Sequence, residues 1–306
     1  MMDKTFPRFT SVLLLLVALS MLGCKKDEPI IIVDPPDPPV PVDTTTLDDG
    51  PVDFTKLPDT YGQLASPDLT SQWMHYNVHD PSYLVGDDFT WCYNTDVAFG
   101  HDIRPGIQIR RSINLVEWEF VGWAFPGLPT MGSNFIAQNG GEPFNSLWAP
   151  YIMKVGDEYR LYYSLSSPTP RLSCIGLATA STPKGPFRER GLVVTSLANG
   201  AVQTNAIDPT VIVGEDGSHW MYYGSAWDGI YKLELNPDNG LARYNGDKGV
   251  RVAQRGFTGN AINGNIEGPE IIYNPEFDQY YLFIAYDWLE TKYNVRVGRS
   301  DNPNGP

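Results

Sequence analysis

The 306-residue sequence carries 36 acidic against 22 basic side chains, a net charge of −14, and only three cysteines. That negative excess disfavours nucleic acid and anionic partners generally and is compatible with a neutral ligand. Three cysteines make no disulfide framework, and no Cys/His spacing points to zinc.

At the start of the chain, Lys4 and Arg8 precede an apolar run from Val12 to Leu22. The run is short for a membrane span and ends in small residues, the pattern of a secretory signal peptide. Gly23 stands directly before Cys24, so "MLGC" resembles the bacterial lipobox, with Met21 where Leu is usual. Residues 1–24 are therefore expected to be a lipoprotein signal ending at a lipidated Cys24, and the alternative is an ordinary cleaved signal with an incidental cysteine. Residues 25–52 are dense in Pro and Asp and lack apolar periodicity. Such a segment is an extended, solvated tether. This predicts an outer-membrane lipoprotein of a Gram-negative bacterium, periplasmic or on the cell surface, held to the membrane by its lipid. The "KKDE" after Cys24 also resembles a surface-export signal of some bacterial lipoproteins.

Residues 53–306 suit one large domain. Four segments within it line up: "HDPSYLVGDDFTWCYN" from His79, "WAPYIMKVGDEYRLYYS" from Trp148, "IDPTVIVGEDGSHWMYYGS" from Ile207 and "EGPEIIYNPEFDQYYLFIAY" from Glu267. Each has a proline, a short apolar strand, a polar turn and an aromatic strand. The prolines, Pro81, Pro150, Pro209 and Pro269, recur at near-even spacing. In "EYRLYYSL" no 3.6-residue stripe separates apolar from polar residues, so the segment reads as a strand buried on both faces. "VGDE" and "GEDGS" supply tight hairpin turns. Third strands follow at "GIQIRRS", "CIGLATAS" and "NVRVGRS". Units of this size predict an all-β fold, a five-bladed β-propeller of which about four blades are present in this chain, with each first strand innermost. The alternative is a β-sandwich, which does not need equal repeats. "SDNPNGP" at the end aligns with "STPKGP" inside the second unit, so the chain is expected to stop within its fourth blade, incomplete at the C-terminus.

The residues around each proline should line the central channel. Asp80, Trp148 with Ala149, Asp208, and Glu267 with Gly268 stand there. Three of the four units thus bring a carboxylate to what reads as one equivalent point. Carboxylates gathered there repel one another and shift each other's protonation, which folding does not need and acid–base chemistry does. A single Asp-Pro is an ordinary turn; the shared register of the set points to function. His79, next to Asp80 on an expected strand, should point away from the channel and be structural.

"VHDPS", "LWAP", "GLATASTPKGPF", "NAIDPTV", "GSAWDGI", "IEGPEI" and "VRVGRS" resemble, in continuous order from about residue 66 to 306, glycoside hydrolase family 43, above all its arabinan-degrading members. The resemblance implies inverting cleavage of α-L-arabinofuranosyl bonds, most simply in 1,5-linked plant arabinan. It assigns Asp80 as general base, Glu267 as general acid and Asp208 as the modulator that favours the acid's protonated form and orients it. It further implies sugar contacts from Asn205, Ser225, Trp227 and Trp148, with packing between blades as the alternative for the two tryptophans. The chemistry needs no cofactor; a structural calcium in the channel is implied by resemblance alone, and its ligands are unknown. The sequence departs from the family pattern at Tyr151, often Asp, and at Gly268, often Ala. Alternative readings are an exo-acting arabinofuranosidase or a β-xylosidase of the same family, taking arabinan or arabinoxylan oligosaccharides. A reading of another class is a non-catalytic surface glycan-binding propeller.

Overall fold

The computed structural model describes residues 77–100, 102–115, 117–199, 203–259, 261–287, 289 and 292–305. The signal segment, Cys24 and the tether lie outside the described residues. Within them, strands pair only with their sequence neighbours, so each sheet is an antiparallel meander. The first blade is β1 (Ser82–Val85), β2 (Thr90–Asn94), β3 (Gln108–Ser112) and β4 (Glu119–Trp123). The second is β5 (Trp148–Val155), β6 (Glu158–Leu165), β7 (Ser173–Ala180) and β8 (Arg188–Ser196). The third is β9 (Thr210–Val213), β10 (His219–Tyr223), β11 (Ile230–Leu235) and β12 (Val250–Ala253). A hairpin of β13 (Phe257–Thr258) and β14 (Ala261–Ile262) leads into the fourth, made of β15 (Ile266–Asn274), β16 (Gln279–Tyr286) and β17 (Asn294–Ser300). This is the propeller arrangement that the repeats predict, with four blades among the described residues.

The core lies between blades. Tyr93 and Ile109 of the first blade pack with Leu161 and Tyr163 of the second; Leu177 and Val194 of the second pack with Met221 and Leu233 of the third; Ile230 of the third packs with Ile266 and Ile284 of the fourth. Each such side chain, fully buried, contributes about 1.5–3 kcal/mol. β6 is buried along most of its length, as its unbroken aromatic run requires. Its Tyr163 faces Gly176 of β7, where an added Cβ would lie 2.2 Å from the tyrosine ring. Glycine is therefore what lets the ring cross the neighbouring strand.

One helix among the described residues, α1 (Thr130–Gln138), was not expected from the sequence. Pro129 gives it no side-chain cap. The Glu189 carboxylate of β8 accepts the N–H groups of Thr130 (2.8 Å) and Met131 (3.0 Å) instead. The start signal is thus supplied from a distant strand, where no local pattern reveals it.

Asp96 ties the first blade to the second. It is 3% exposed and its carboxylate accepts three backbone N–H groups at 2.8 Å, from Gly106, Ile107 and Leu147. Burial nonetheless pushes its carboxyl up to about 7, against the pull of those three donors.

Candidate active site

The four residues that precede the repeated prolines share one backbone conformation. Asp80, Ala149, Asp208 and Gly268 have φ of 47°, 36°, 59° and 60°. The left-handed region costs a non-glycine residue about 1–2 kcal/mol. Such strain, borne by a non-glycine residue at this point in three of the four blades, marks a site the fold is built to hold. Hydrogen bonds between blades restrain it. Ala149 N–H donates to Thr95 Oγ1 (2.7 Å), Asp208 N–H to Ser164 Oγ (3.1 Å) and Gly268 N–H to Asp208 Oδ2 (3.1 Å). Gly268 takes this conformation without the penalty.

The turns open onto one cavity of about 830 Å3. Its wall includes Asp80, Asp208 and Glu267, so the three carboxylates singled out in the sequence meet there. Glu267 differs from the other two in register. Gly268 holds the pre-proline position of the fourth blade; Glu267 stands one residue earlier, where the second blade has Trp148. The expected equivalence of three carboxylates therefore holds for Asp80 and Asp208 only, and the extra methylene of glutamate reaches from the offset position.

The three environments are distinct. Asp80 is partly exposed, and its Oδ2 accepts from Thr95 Oγ1 (2.6 Å) and His79 Nδ1 (2.8 Å). Among the described residues its Oδ1 accepts nothing. Asp208 is half-buried in the wall: desolvation first, then the charges of Glu267 and Asp80, push its carboxyl well above the usual carboxylate range, and the Gly268 N–H offsets this only in part. Glu267 is held at both oxygens, Oε2 by Ser225 Oγ (2.8 Å) and Oε1 by the Tyr293 hydroxyl (2.9 Å). Burial and the Glu267 charge push the Tyr293 phenol up. A fourth carboxylate, Glu270, also lines the cavity and is pushed up by burial.

His79 is a correction. It lines the cavity and donates to Asp80, and that hydrogen bond raises the imidazole above its ordinary value. Strand alternation does not apply to it, because Asp80 is left-handed and β1 begins only at Ser82. Asn205, Ser225 and Trp148 also reach the cavity. Trp148 is half-buried: its ring lies against Phe144 with centroids 5.0 Å apart, and its Nε1–H donates to Ser146 Oγ (2.7 Å). Packing and cavity wall are both served. Trp227 is not among the lining residues; it is 45% exposed, with the Arg171 guanidinium 5.2 Å from its ring centroid. Tyr151 lines the cavity and spans blades by donating to Val211 O (2.6 Å). Thr95, Glu270 and Tyr293 were not anticipated, since their roles arise from contacts the repeats do not encode.

Among the described residues no group of three or more His, Cys, Asp or Glu side chains has the arrangement to hold a metal ion. The channel calcium implied by resemblance thus finds no such ligand set there, and no chemical step is assigned to it.

Residues 74–306 match the family model described as glycosyl hydrolases family 43. The extracellular endo-α-(1→5)-L-arabinanase of Thermotoga petrophila is 30% identical over 268 residues, covering 79% of this chain and 52% of that protein. The extracellular exo-α-(1→5)-L-arabinofuranosidase of Cellvibrio japonicus is 29% identical over 249 residues, covering 75% and 66%. The crystal structure of endo-1,5-α-L-arabinanase from Thermotoga petrophila superposes with a TM-score of 0.61 at 28% identity, over 75% of this chain and 52% of that one. The chain spans about half the length of the Thermotoga protein it matches.

Proposed function

The chain belongs to glycosyl hydrolases family 43, and on that premise we propose that it hydrolyses α-L-arabinofuranosyl bonds, chiefly the 1,5-linked backbone of arabinan, by a single inverting displacement. The observation that carries the reading is the cavity shared by Asp80, Asp208 and Glu267, each in a different environment. In the proposed step Asp80 Oδ1 takes a proton from a water, whose oxygen attacks the anomeric carbon. Glu267 gives its proton to the departing glycosidic oxygen, so the bond breaks as the new one forms. Inverting enzymes keep the two carboxyl groups roughly 6.5–9.5 Å apart to admit that water.

Asp208 stabilises no bond to the sugar in this scheme. Burial and the charges of Glu267 and Asp80 hold its own carboxyl above the usual carboxylate range, so it keeps a proton beside the acid. Ser225 and Tyr293 aim Glu267, and Asn205, Trp148 and Tyr151 shape the space around the sugar. Arabinan as the substrate class draws support from relatives named as endo- and exo-acting on α-(1→5)-L-arabinan linkages. Those relatives are named extracellular, in keeping with export through the proposed signal; anchoring at Cys24 rests on the resemblance of "MLGC" to a lipobox alone.

Incubating the protein with linear arabinan, branched arabinan and xylan, and sizing the products, tests this reading. Release of arabino-oligosaccharides from linear arabinan is expected. Arabinose as the sole product means exo action, and cleavage of xylan alone contradicts the substrate. Tight binding without turnover favours the glycan-binding alternative.

A further inference from the structure

The pre-proline N–H of each later blade is met by a group from the blade before it, and comparing these groups isolates one of them. Thr95, Ser164 and Gly224 occupy the same place at the end of the second strand of their own blades, across from the residue two before the proline: Thr95 N–H donates to His79 O, Gly224 N–H to Ile207 O, and Ser164 pairs with Trp148. Ser164 accepts Asp208 N–H, and the pre-proline residue of its own blade is Ala149, whose methyl group has nothing to receive a proton. Gly224 has no hydroxyl, and an added Cβ there would lie 2.6 Å from both Gly229 O and Thr204 Oγ1. The N–H of Gly268 falls to Asp208 itself. Thr95 alone both accepts from the next blade, through Ala149 N–H, and donates to a carboxylate of its own, Asp80 Oδ2.

A hydroxyl has one proton and two lone pairs. The Ala149 N–H at 2.7 Å occupies one lone pair of Thr95 Oγ1, and the proton then points to Asp80 Oδ2 at 2.6 Å. The backbone beneath is held on both sides. Thr95 N–H donates to His79 O (3.0 Å), and the adjacent Asp96 clamps three N–H groups. A β-branched side chain on such a backbone has little rotamer freedom.

We propose that Thr95 is the positioning residue for Asp80: it fixes Oδ2 as a hydrogen-bond acceptor and so leaves Oδ1 as the atom that takes the proton from water. The proposal rests on the reading of Asp80 as general base. His79 shares Oδ2 but is exposed and titratable, whereas the threonine donates at any working pH. The link also makes base geometry depend on how the first two blades dock, since the donor's lone pair is engaged from the second.

The test compares Thr95→Val, Thr95→Ser, Thr95→Cys, Ser164→Ala and Asp80→Asn for arabinan hydrolysis, with kcat, KM and the pH profile of kcat/KM. In Thr95→Val, kcat is expected to fall about ten- to a hundredfold at nearly unchanged KM, the loss that a misplaced reacting group brings. The acid limb of its profile should move to higher pH, because the charged form of Asp80 has lost a donor. Thr95→Ser should recover most of the rate. Ser164→Ala, which removes the same kind of blade stitch without touching a carboxylate, should lower the melting temperature and leave the acid limb in place. A wild-type acid limb and kcat in Thr95→Val overturn the proposal while leaving Asp80 as base. Should that variant not fold, Thr95→Cys decides on the same criterion, its thiol being a weak donor. Wild-type turnover in Asp80→Asn overturns the base assignment, and this proposal with it.

Discussion

Asp80 and Asp208 share a dipeptide, a left-handed backbone and one cavity, yet their surroundings are opposite. Asp80 is exposed and takes two donors on one oxygen; Asp208 is half-buried and takes one backbone N–H. Part of the difference lies just past the second strand of each blade, where the first has Thr95, a donor to Asp80, and the third has Gly224, with no side chain to donate. The same motif thus yields a solvent-facing carboxylate in one blade and, in another, one that burial and neighbouring charge push well above the usual carboxylate range. Environment rather than motif sets the role.

Removing each carboxylate breaks the comparison most strongly. Asp80→Asn and Glu267→Gln are expected to lower kcat about 10²–10⁴-fold, the usual contribution of a general acid or base. Asp208→Asn should also lose activity, but its stability should move the other way. A carboxyl whose folded-state pKa lies above its unfolded value gives stability that is complete below the unfolded value and lost as pH rises through the folded one. Asp208 is such a group, and the asparagine variant has no such loss. Melting temperatures of the two proteins should therefore diverge from the ordinary carboxylate range upward, with the variant the more stable. A constant gap across pH would remove the distinction drawn between the two aspartates.

A smaller effect is expected at Asp96, which holds the first blade to the second beneath Thr95. An asparagine there turns an NH2 toward backbone donors now met by an oxygen. Urea unfolding should show a loss of about 1–3 kcal/mol, the cost of an unsatisfied buried group. The smallest change sharpens the third-blade side. Gly268→Ala should cost about 1–2 kcal/mol, because alanine must adopt the left-handed conformation that glycine takes freely. Since the Gly268 N–H is retained, the activity should persist.

The repeats made the blades and the meeting of Asp80, Asp208 and Glu267 legible, because a recurring proline and a recurring strand pattern are local signals. What stayed hidden depends on contacts across the fold. The helix α1 is capped by Glu189, far along the chain, so "TMGSNFIAQ" carries no N-cap of its own. His79 was read as turned away because alternation was assumed through a residue that is left-handed. The one-residue offset of Glu267 from its proline is written in the sequence, but its consequence appears in the strand pairing, where the register shifts between Glu267 and Glu270. Tyr293 and Thr95 matter through single hydrogen bonds to carboxylates on other strands, which spacing cannot display.

The central claim is that water, activated at Asp80, displaces the glycosidic oxygen in one step within the shared cavity. Proton NMR of arabinan digestion, recorded before the sugar mutarotates, reads this directly. The account predicts the β-anomer as the first-formed reducing end from an α-linked chain; the α-anomer appearing first would contradict it.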